Sequence, residues 1–308
     1  MRGSSHLARL RVQLVLTRIM LPDVQRKIET VLGMGIASTR RLTGGSISEA
    51  YSAHLADGRP VFIKTNPHAN PRMFTCEAQG LAWLAQPRAI TIPTVIAVSD
   101  ETSQGPHFLV LEWIASAERS VNFDEQLGEQ LATLHASVPN TFGLEYDNFI
   151  ATLEQSNTPH ESWADFYTTC RLEPQLQRAV DNARVPRAWT NSFASLFSRM
   201  EELVGAPESP ARLHGDLWSG NLHTDTQGNP CLIDPAVYGG HREIDLAMLN
   251  LFGDPGPRFL STYNECYPLA PGAEERVALY QLYPLLVHVN LFGGHYVGSV
   301  EQTLKQYL

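Results

Sequence analysis

The apolar positions change period twice along the chain, and the two changes outline two lobes. Val24, Ile28, Val31 and Leu32 recur at helical spacing from Pro22 to Leu32. The stretch from Arg41 to Tyr51 then reads as strand, glycine turn, strand. Val61-Phe-Ile-Lys64 follows the turn signal Asp57-Gly58 as a further strand. Pro71 precedes a predicted helix from about Met73 to Ala85, and Phe108-Leu-Val-Leu-Glu112 is an unbroken apolar run of the kind a buried strand shows.

After about residue 116 the pattern turns helical. Phe123, Leu127, Leu131 and Leu134 line one face, with Asn122 and Glu125 placed as a capping box in which Asn replaces the usual Ser or Thr. Phe193, Leu196, Phe197 and Met200 predict another helix. A third runs from about Glu274 towards Asn290, interrupted or kinked at Pro284. Within this half, Cys231-Leu232-Ile233 is one short buried strand, and Pro207 to Pro210 is a loop leading into the segment before it. The pattern therefore predicts an α+β fold. A small antiparallel-sheet lobe with one main helix spans residues 21–115, and a larger, mostly helical lobe spans 116–308.

Composition narrows the class without naming it. The chain has 308 residues, enough for two lobes with a sizeable core, and 43% of them are hydrophobic. The formal net charge is −9, with no long basic stretch to offset it, which argues against a nucleic-acid partner. Cys76, Cys170, Cys231 and Cys266 are scattered, as in a reduced intracellular protein with small buried thiols, and a cytoplasmic location is expected. No apolar run approaches the ~20 residues of a membrane span. The first 20 residues contain four arginines and no acid. That weakly suggests an organelle transit peptide; the blander and preferred reading is a poorly ordered extension over 1–20, with Met20 as a natural start.

The chemistry concentrates between residues 213 and 234. His214-Gly-Asp216 leads to Asn221, five residues after Asp216, and Asp234 closes the short strand. A polar turn with solvated acids would explain His-Gly-Asp alone. A carboxylate, an amide oxygen and a second carboxylate in this order suit phosphoryl transfer: Asp216 as base for a hydroxyl, Asn221 and Asp234 as oxygen ligands of Mg²⁺ against nucleotide phosphates. His214 is read as a brace of this loop through its side-chain hydrogen bonds, since no metal spacing such as His-Glu-x-x-His exists. Asp245 is given a structural role, capping or bracing the same loop.

The first lobe supplies the matching half. Gly44-Gly45-Ser46 sits in the hairpin turn, where backbone N–H groups can approach phosphates, although two adjacent glycines also suit a plain hairpin. Lys64 ends a strand, and Glu77 lies thirteen residues on, in the next helix, where it can pair with it. Each alone is an ordinary charge; the order of turn, Lys, Glu, strand, Asp and Asn gives them meaning. Glu112, Trp113 and Ile114 follow the buried strand at the lobe junction, where backbone groups could meet an adenine edge. An ATP site with Mg²⁺ results.

These motifs resemble one family. His214-Gly-Asp-Leu-Trp-Ser-Gly-Asn221, with Ile233-Asp-Pro-Ala236, Tyr238-Gly-Gly-His241 and Leu251-Phe-Gly253, is similar to the fructosamine kinase, or ketosamine 3-kinase, family. That family sits in the aminoglycoside-phosphotransferase branch of protein-kinase-like folds. The resemblance runs from about residue 25 to the C-terminus, and Leu-Trp-Ser-Gly is its specific part. It implies Asp216 as catalytic base, Asn221 and Asp234 on Mg²⁺, Lys64 with Glu77 on phosphate, and Glu112 to Ile114 as the adenine hinge. It implies phosphorylation of the 3-hydroxyl of ketoamines, adducts of sugars on amines or protein lysines, followed by breakdown that frees the amine. Ribulosamine and erythrulosamine are expected ahead of fructosamine. Ser46 stands where some members carry Cys, so no thiol switch is expected at that turn. Trp218, two residues after the base, is expected to wall the acceptor pocket, the plainer alternative being that it only packs the loop. The alternatives are a kinase of another hydroxyl-bearing amine, such as an aminoglycoside or choline, and an inactive kinase-like binding module.

Overall fold

The structure is a computed structural model and describes residues 20–43, 47–102, 104–253 and 255–308. The expectations placed on residues 1–19 and on Gly44, Gly45 and Ser46 lie outside those residues.

In chain order the helices are α1 (Pro22–Leu32), α2 (Arg72–Ala85), α3 (Phe123–His135), α4 (Trp163–Phe166), α5 (Glu173–Asp181), α6 (Trp189–Phe197), α7 (Met200–Leu203), α8 (Glu243–Phe252), α9 (Pro257–Cys266), α10 (Ala273–Phe292) and α11 (Val297–Leu304). The strands of the first lobe are β1 (Ile36–Arg41), β2 (Glu49–Leu55), β3 (Pro60–Asn66), β4 (Val95–Val98) and β5 (His107–Glu112). Those of the second are short: β6 (Asn148–Ile150), β7 (Leu153–Gln155), β8 (Ala211–Leu213), β9 (Leu222–Thr224), β10 (Pro230–Leu232) and β11 (Tyr238–Gly240).

The first lobe is an antiparallel sheet of order β1-β2-β3-β5-β4 covered by a helix on each face. Strand β5 is apolar from Phe108 to Leu111 because both its faces are covered. Phe108 and Val110 pack with Val24 and Ile28 of α1, while Leu109 and Leu111 pack with Met73, Phe74 and Leu81 of α2. Pro22 opens α1 in its first turn and Gly33 closes it at φ 62°, in the left-handed conformation, with N–H groups returned to Glu29 and Thr30.

The second lobe is helical, with its strands paired only in twos. Helices α3 and α9 approach so closely that a Cβ on Gly128 would lie 2.6 Å from the Phe259 carbonyl, so glycine is required there. Helix α2 is tied to this lobe as well as to the sheet. Arg212 donates to the Trp83 carbonyl and to Gln86, Arg72 donates to the Asp147 carbonyl, and Gly80 packs on Val237. The helix that carries Glu77 therefore spans both lobes.

Four details depart from the sequence reading. Asn122 makes no capping hydrogen bond; its φ of −111° and ψ of 22° lie away from the extended conformation that aims a cap side chain at the helix, and Glu125 instead pairs with Arg258 at 2.7 Å. The helix expected through Met200 breaks after Phe197 into α6 and α7. Pro284 does not interrupt α10, whose flanking residues are buried around it, so packing holds the helix through the missing N–H. Cys266 is exposed, whereas the other three thiols are buried. Among the described residues no helix is long and apolar enough to cross a membrane.

Candidate active site

The turn after β8 is fixed by one buried carboxylate. Asp245, on α8, accepts the His214 N–H at 2.7 Å on Oδ2 and the Gly215 N–H at 2.9 Å on Oδ1. His135 donates to the same carboxylate at 3.4 Å, and its other ring nitrogen accepts from the Tyr263 hydroxyl at 2.8 Å. Gly215 has φ +81°, and a Cβ there would meet the Ala236 carbonyl at 2.0 Å. Both the backbone conformation and the close approach demand glycine.

His214 completes the turn. Its Nε2 donates to the Ile233 carbonyl at 2.9 Å, and its Nδ1 accepts the Asp216 N–H at 3.2 Å. Both ring nitrogens are used in the neutral form, and burial holds the pKa below the ordinary histidine value. The two bracing roles read from the sequence, for His214 and Asp245, match these contacts.

Asp216, Asn221 and Asp234 converge as the spacing predicted. Asn221 Nδ2 donates to the Asp216 backbone carbonyl at 2.8 Å and to Asp216 Oδ2 at 3.0 Å. That orientation leaves the Asn221 amide oxygen as the acceptor facing away from Asp216. Asp234 takes φ 57°, a left-handed conformation that a non-glycine residue adopts at a cost. Burial raises the pKa of the Asp216 carboxyl; the charges of Asp234 and Asp245 add to the rise, the Asn221 hydrogen bond opposes it, and the result is about 7. A carboxylate near that value is suited to accept a proton from a hydroxyl at neutral pH.

Lys64 links the lobes. Its Nζ lies 2.9 Å from Glu77 Oε1 and 2.8 Å from Asp234 Oδ1. Lys64 and Glu77 are each 13% exposed, but Asp234 is 39% exposed. Burial disfavours the ammonium, yet the two carboxylates outweigh it and hold the Lys64 pKa above its usual range. The group therefore remains a cation.

The residues present suit a magnesium ion bound with a nucleotide. The Asn221 amide oxygen and the Asp234 carboxylate are two hard oxygen donors on neighbouring residues, Asn221 Nδ2 reaching the Asp234 carbonyl at 3.4 Å, and Mg²⁺ takes few ligands from protein when phosphates supply others. No cluster of three or more His, Cys, Asp or Glu among the described residues is arranged to hold a metal.

Glu112, Trp113 and Ile114 lie where β5 ends, at the lobe junction. The Glu112 carboxylate accepts the Thr94 N–H at 3.1 Å, and the Ile114 carbonyl accepts from His223 Nε2 at 3.0 Å. His223, on β9, ties this segment to the second lobe and was not anticipated from the sequence. Trp218 is 38% exposed. Its indole lies over Gly220, where a Cβ would be 2.4 Å from the ring, and its N–H has no partner among the described residues.

Behind Asp216 opens a slot of about 20 Å³, lined by Gly215, Asp216, Asp245, Met248, Tyr283 and His288 among others. Met248 and His288 carried no sequence signal. They come from α8 and α10, which are distant in sequence and meet only on folding.

Comparison with known proteins agrees with this geometry. The profile of the fructosamine kinase family matches residues 20–308. A protein of Synechocystis sp. named "Probable ketoamine kinase" is 38% identical over 279 residues, covering 89% of this chain and 91% of the relative. The chloroplastic protein-ribulosamine 3-kinase of Oryza sativa subsp. japonica is 36% identical over 280 residues, covering 89% and 79%. A solved "putative fructosamine-3-kinase" from Thermobifida fusca superposes with a TM-score of 0.85 at 35% identity, covering 93% of this chain and 99% of that one. An aminoglycoside phosphotransferase shares the fold alone, with a TM-score of 0.62 at 16% identity, covering 92% and 98%. The bilobal, protein-kinase-like fold expected from the sequence is thus present, and the enzyme is a phosphotransferase with an alcohol group as acceptor. The chain belongs to the fructosamine kinase family, in which its curated relatives carry names such as "Probable ketoamine kinase" and "Protein-ribulosamine 3-kinase".

Proposed function

We propose that this protein is an ATP-dependent ketosamine 3-kinase. It transfers the γ-phosphoryl group to the 3-hydroxyl of ribulosamine or erythrulosamine adducts, with fructosamine as a poorer acceptor. Breakdown of the phosphorylated adduct then frees the amine, free or on a protein lysine. The rice relative's name supports the ribulosamine reading. The carrying observation is a run of contacts across the lobe junction: Asp216 accepts from Asn221 at 3.0 Å, Asn221 reaches the Asp234 carbonyl at 3.4 Å, and Asp234 pairs with Lys64 at 2.8 Å.

In this reading residues 21–115 bind the nucleotide and 116–308 supply the catalytic and acceptor groups. Gly44, Gly45 and Ser46 cover the phosphates, while Lys64, held by Glu77, contacts them. Glu112 to Ile114 receive the adenine. Asn221 and Asp234 hold Mg²⁺, which when bound neutralises phosphate charge. Asp216 aligns the acceptor hydroxyl and takes its proton as the oxygen attacks phosphorus. Trp218 presents an aromatic face and one N–H donor to the acceptor.

Ribulose-, erythrulose- and fructose-lysine incubated with MgATP and followed by ³¹P NMR test the reading. A sugar 3-phosphate signal is expected, strongest with the two shorter sugars. Turnover of an aminoglycoside or choline with none of the ketoamines would overturn it. Calorimetry of MgATP on Asp234→Ala should show weakened, less Mg²⁺-dependent binding; unchanged affinity would make Asp234 structural.

A further inference from the structure

One wall of the Asp216 slot is built from a histidine whose outer ring nitrogen is not used by the fold. His288 lies one turn after Pro284 on α10, and its Nδ1 donates to the Pro284 carbonyl at 2.7 Å. A carbonyl cannot donate, so Nδ1 carries the hydrogen and Nε2 carries a lone pair. No partner for Nε2 exists among the described residues. Burial lowers the ring's pKa, with the Pro284 contact opposing, which favours the unprotonated form.

The ring is held rigidly. It stacks on Phe252 with centroids 4.4 Å apart, and Tyr296 and Phe292 lie 4.8 Å and 5.5 Å away. The Phe252 carbonyl in turn accepts the Ser219 hydroxyl at 2.9 Å, next to Trp218. The aromatic group is therefore fastened to the catalytic loop itself. The slot holds about 20 Å³, room for one water-sized group, so an acceptor lies across its mouth between Asp216 and His288. A ketoamine carries a protonated secondary amine a short carbon chain away from the hydroxyl that reacts. With that hydroxyl at Asp216, its ammonium is the part that needs an acceptor and an aromatic face.

We propose that His288 determines acceptor specificity: its Nε2 accepts a hydrogen bond from the ammonium of the bound ketoamine, and the Phe252 and Tyr296 rings wall that end of the substrate. This rests on the ketosamine-kinase reading and extends it. It explains why an amine-bearing sugar is chosen over the free ketose, which lacks the cation.

The test compares the wild-type enzyme with His288→Phe and His288→Gln. Phe keeps an aromatic ring and loses the acceptor; Gln keeps an acceptor and loses the ring. KM and kcat are measured for ribulose-lysine, free ribulose and ATP, together with Tm. For His288→Phe we expect KM for ribulose-lysine to rise about tenfold or more. KM for ATP should not move, and the preference for ribulose-lysine over ribulose should fall by a similar factor. His288→Gln should retain most of that preference. The opposite order, with Phe harmless and Gln damaging, would make the ring a packing element and overturn the assignment. Wild-type turnover of ribulose with none of ribulose-lysine would instead overturn the underlying function, and the specificity role with it.

Discussion

The two halves of the site are held by different forces. Lys64 and Glu77 project from a strand and a helix whose positions are set by apolar packing, Ile63 and Phe74 being fully buried beside them. The turn that carries Asp216 is anchored at its ends by the buried Leu213 and Leu217, but between them its conformation hangs on hydrogen bonds to Asp245, His214 and the Ile233 carbonyl. Packing is distributed over many contacts, so losing one is tolerated. A buried hydrogen-bonded turn has few contacts, and each unpaired donor costs about 1–3 kcal/mol. The lesson is that the loop half is the brittle half of the site, although the lysine half carries the stronger charges.

The largest effect should come from Asp245→Ala. It strands the His214 and Gly215 N–H groups and His135 without an acceptor, inside the lobe. A stability loss of about 3–5 kcal/mol is expected in denaturant titration, with activity gone. A variant that melts like wild type would show that the turn does not depend on this carboxylate. Gly215→Ala should follow closely, because its Cβ would lie 2.0 Å from a backbone oxygen in a left-handed conformation. Soluble, active protein from that variant would contradict the stated geometry.

Lys64→Met should behave differently. It removes the cation from the packed half, and the buried Glu77 carboxyl, whose pKa burial already raises, can take up a proton in its place, so the fold is expected to survive with only a modest fall in Tm. Turnover should fall by about 10²-fold or more, since a phosphate contact is lost. If Lys64→Met destabilised as much as Asp245→Ala, the contrast between the halves would be wrong.

The smallest effect concerns Glu208, which pairs with Arg242 beneath α8 at 2.8 Å. Burial pushes the Glu208 carboxyl up, but the Arg242 hydrogen bonds and the charges of His241, Arg242 and Arg276 outweigh it, and the pKa lies below the ordinary 4.5. A depressed carboxylate stabilises the fold above the unfolded value and loses that contribution as pH falls through the folded one. Glu208→Gln should therefore cost about 1 kcal/mol at pH 7. The gap to wild type should close below about pH 4.5. A gap independent of pH would assign the loss to shape and not to charge.

The same contrast explains what was legible in the sequence. Strand β5, α2 and the Lys64–Glu77 pairing follow from local period and spacing, because regular elements put fixed residue separations on fixed faces. The Asp216 to Asn221 interval was legible for a related reason: a tight turn leaves little freedom. The partners of the turn were only half legible. Asp245 was placed as a brace, but His135 and Tyr263 were not, since they lie 110 and 128 residues from Asp245 and His135 respectively. Asn122 misled because a cap depends on backbone angles as well as residue type, and Arg258 competes for Glu125. Pro284 misled because burial on every side of α10 outweighs one lost hydrogen bond. His288 was invisible: its significance comes from Asp216 and Phe252, which other elements bring to it.

The central claim is that Asp216 acts on the acceptor hydroxyl and not on the nucleotide. Asp216→Asn keeps size and shape while removing the base. Turnover of ribulose-lysine, read by ³¹P NMR beside MgATP calorimetry on the same preparation, measures it most directly. The account predicts a fall of about 10²–10⁴ in kcat with nucleotide affinity nearly unchanged. Near-normal kcat, or a loss confined to MgATP affinity, would contradict it.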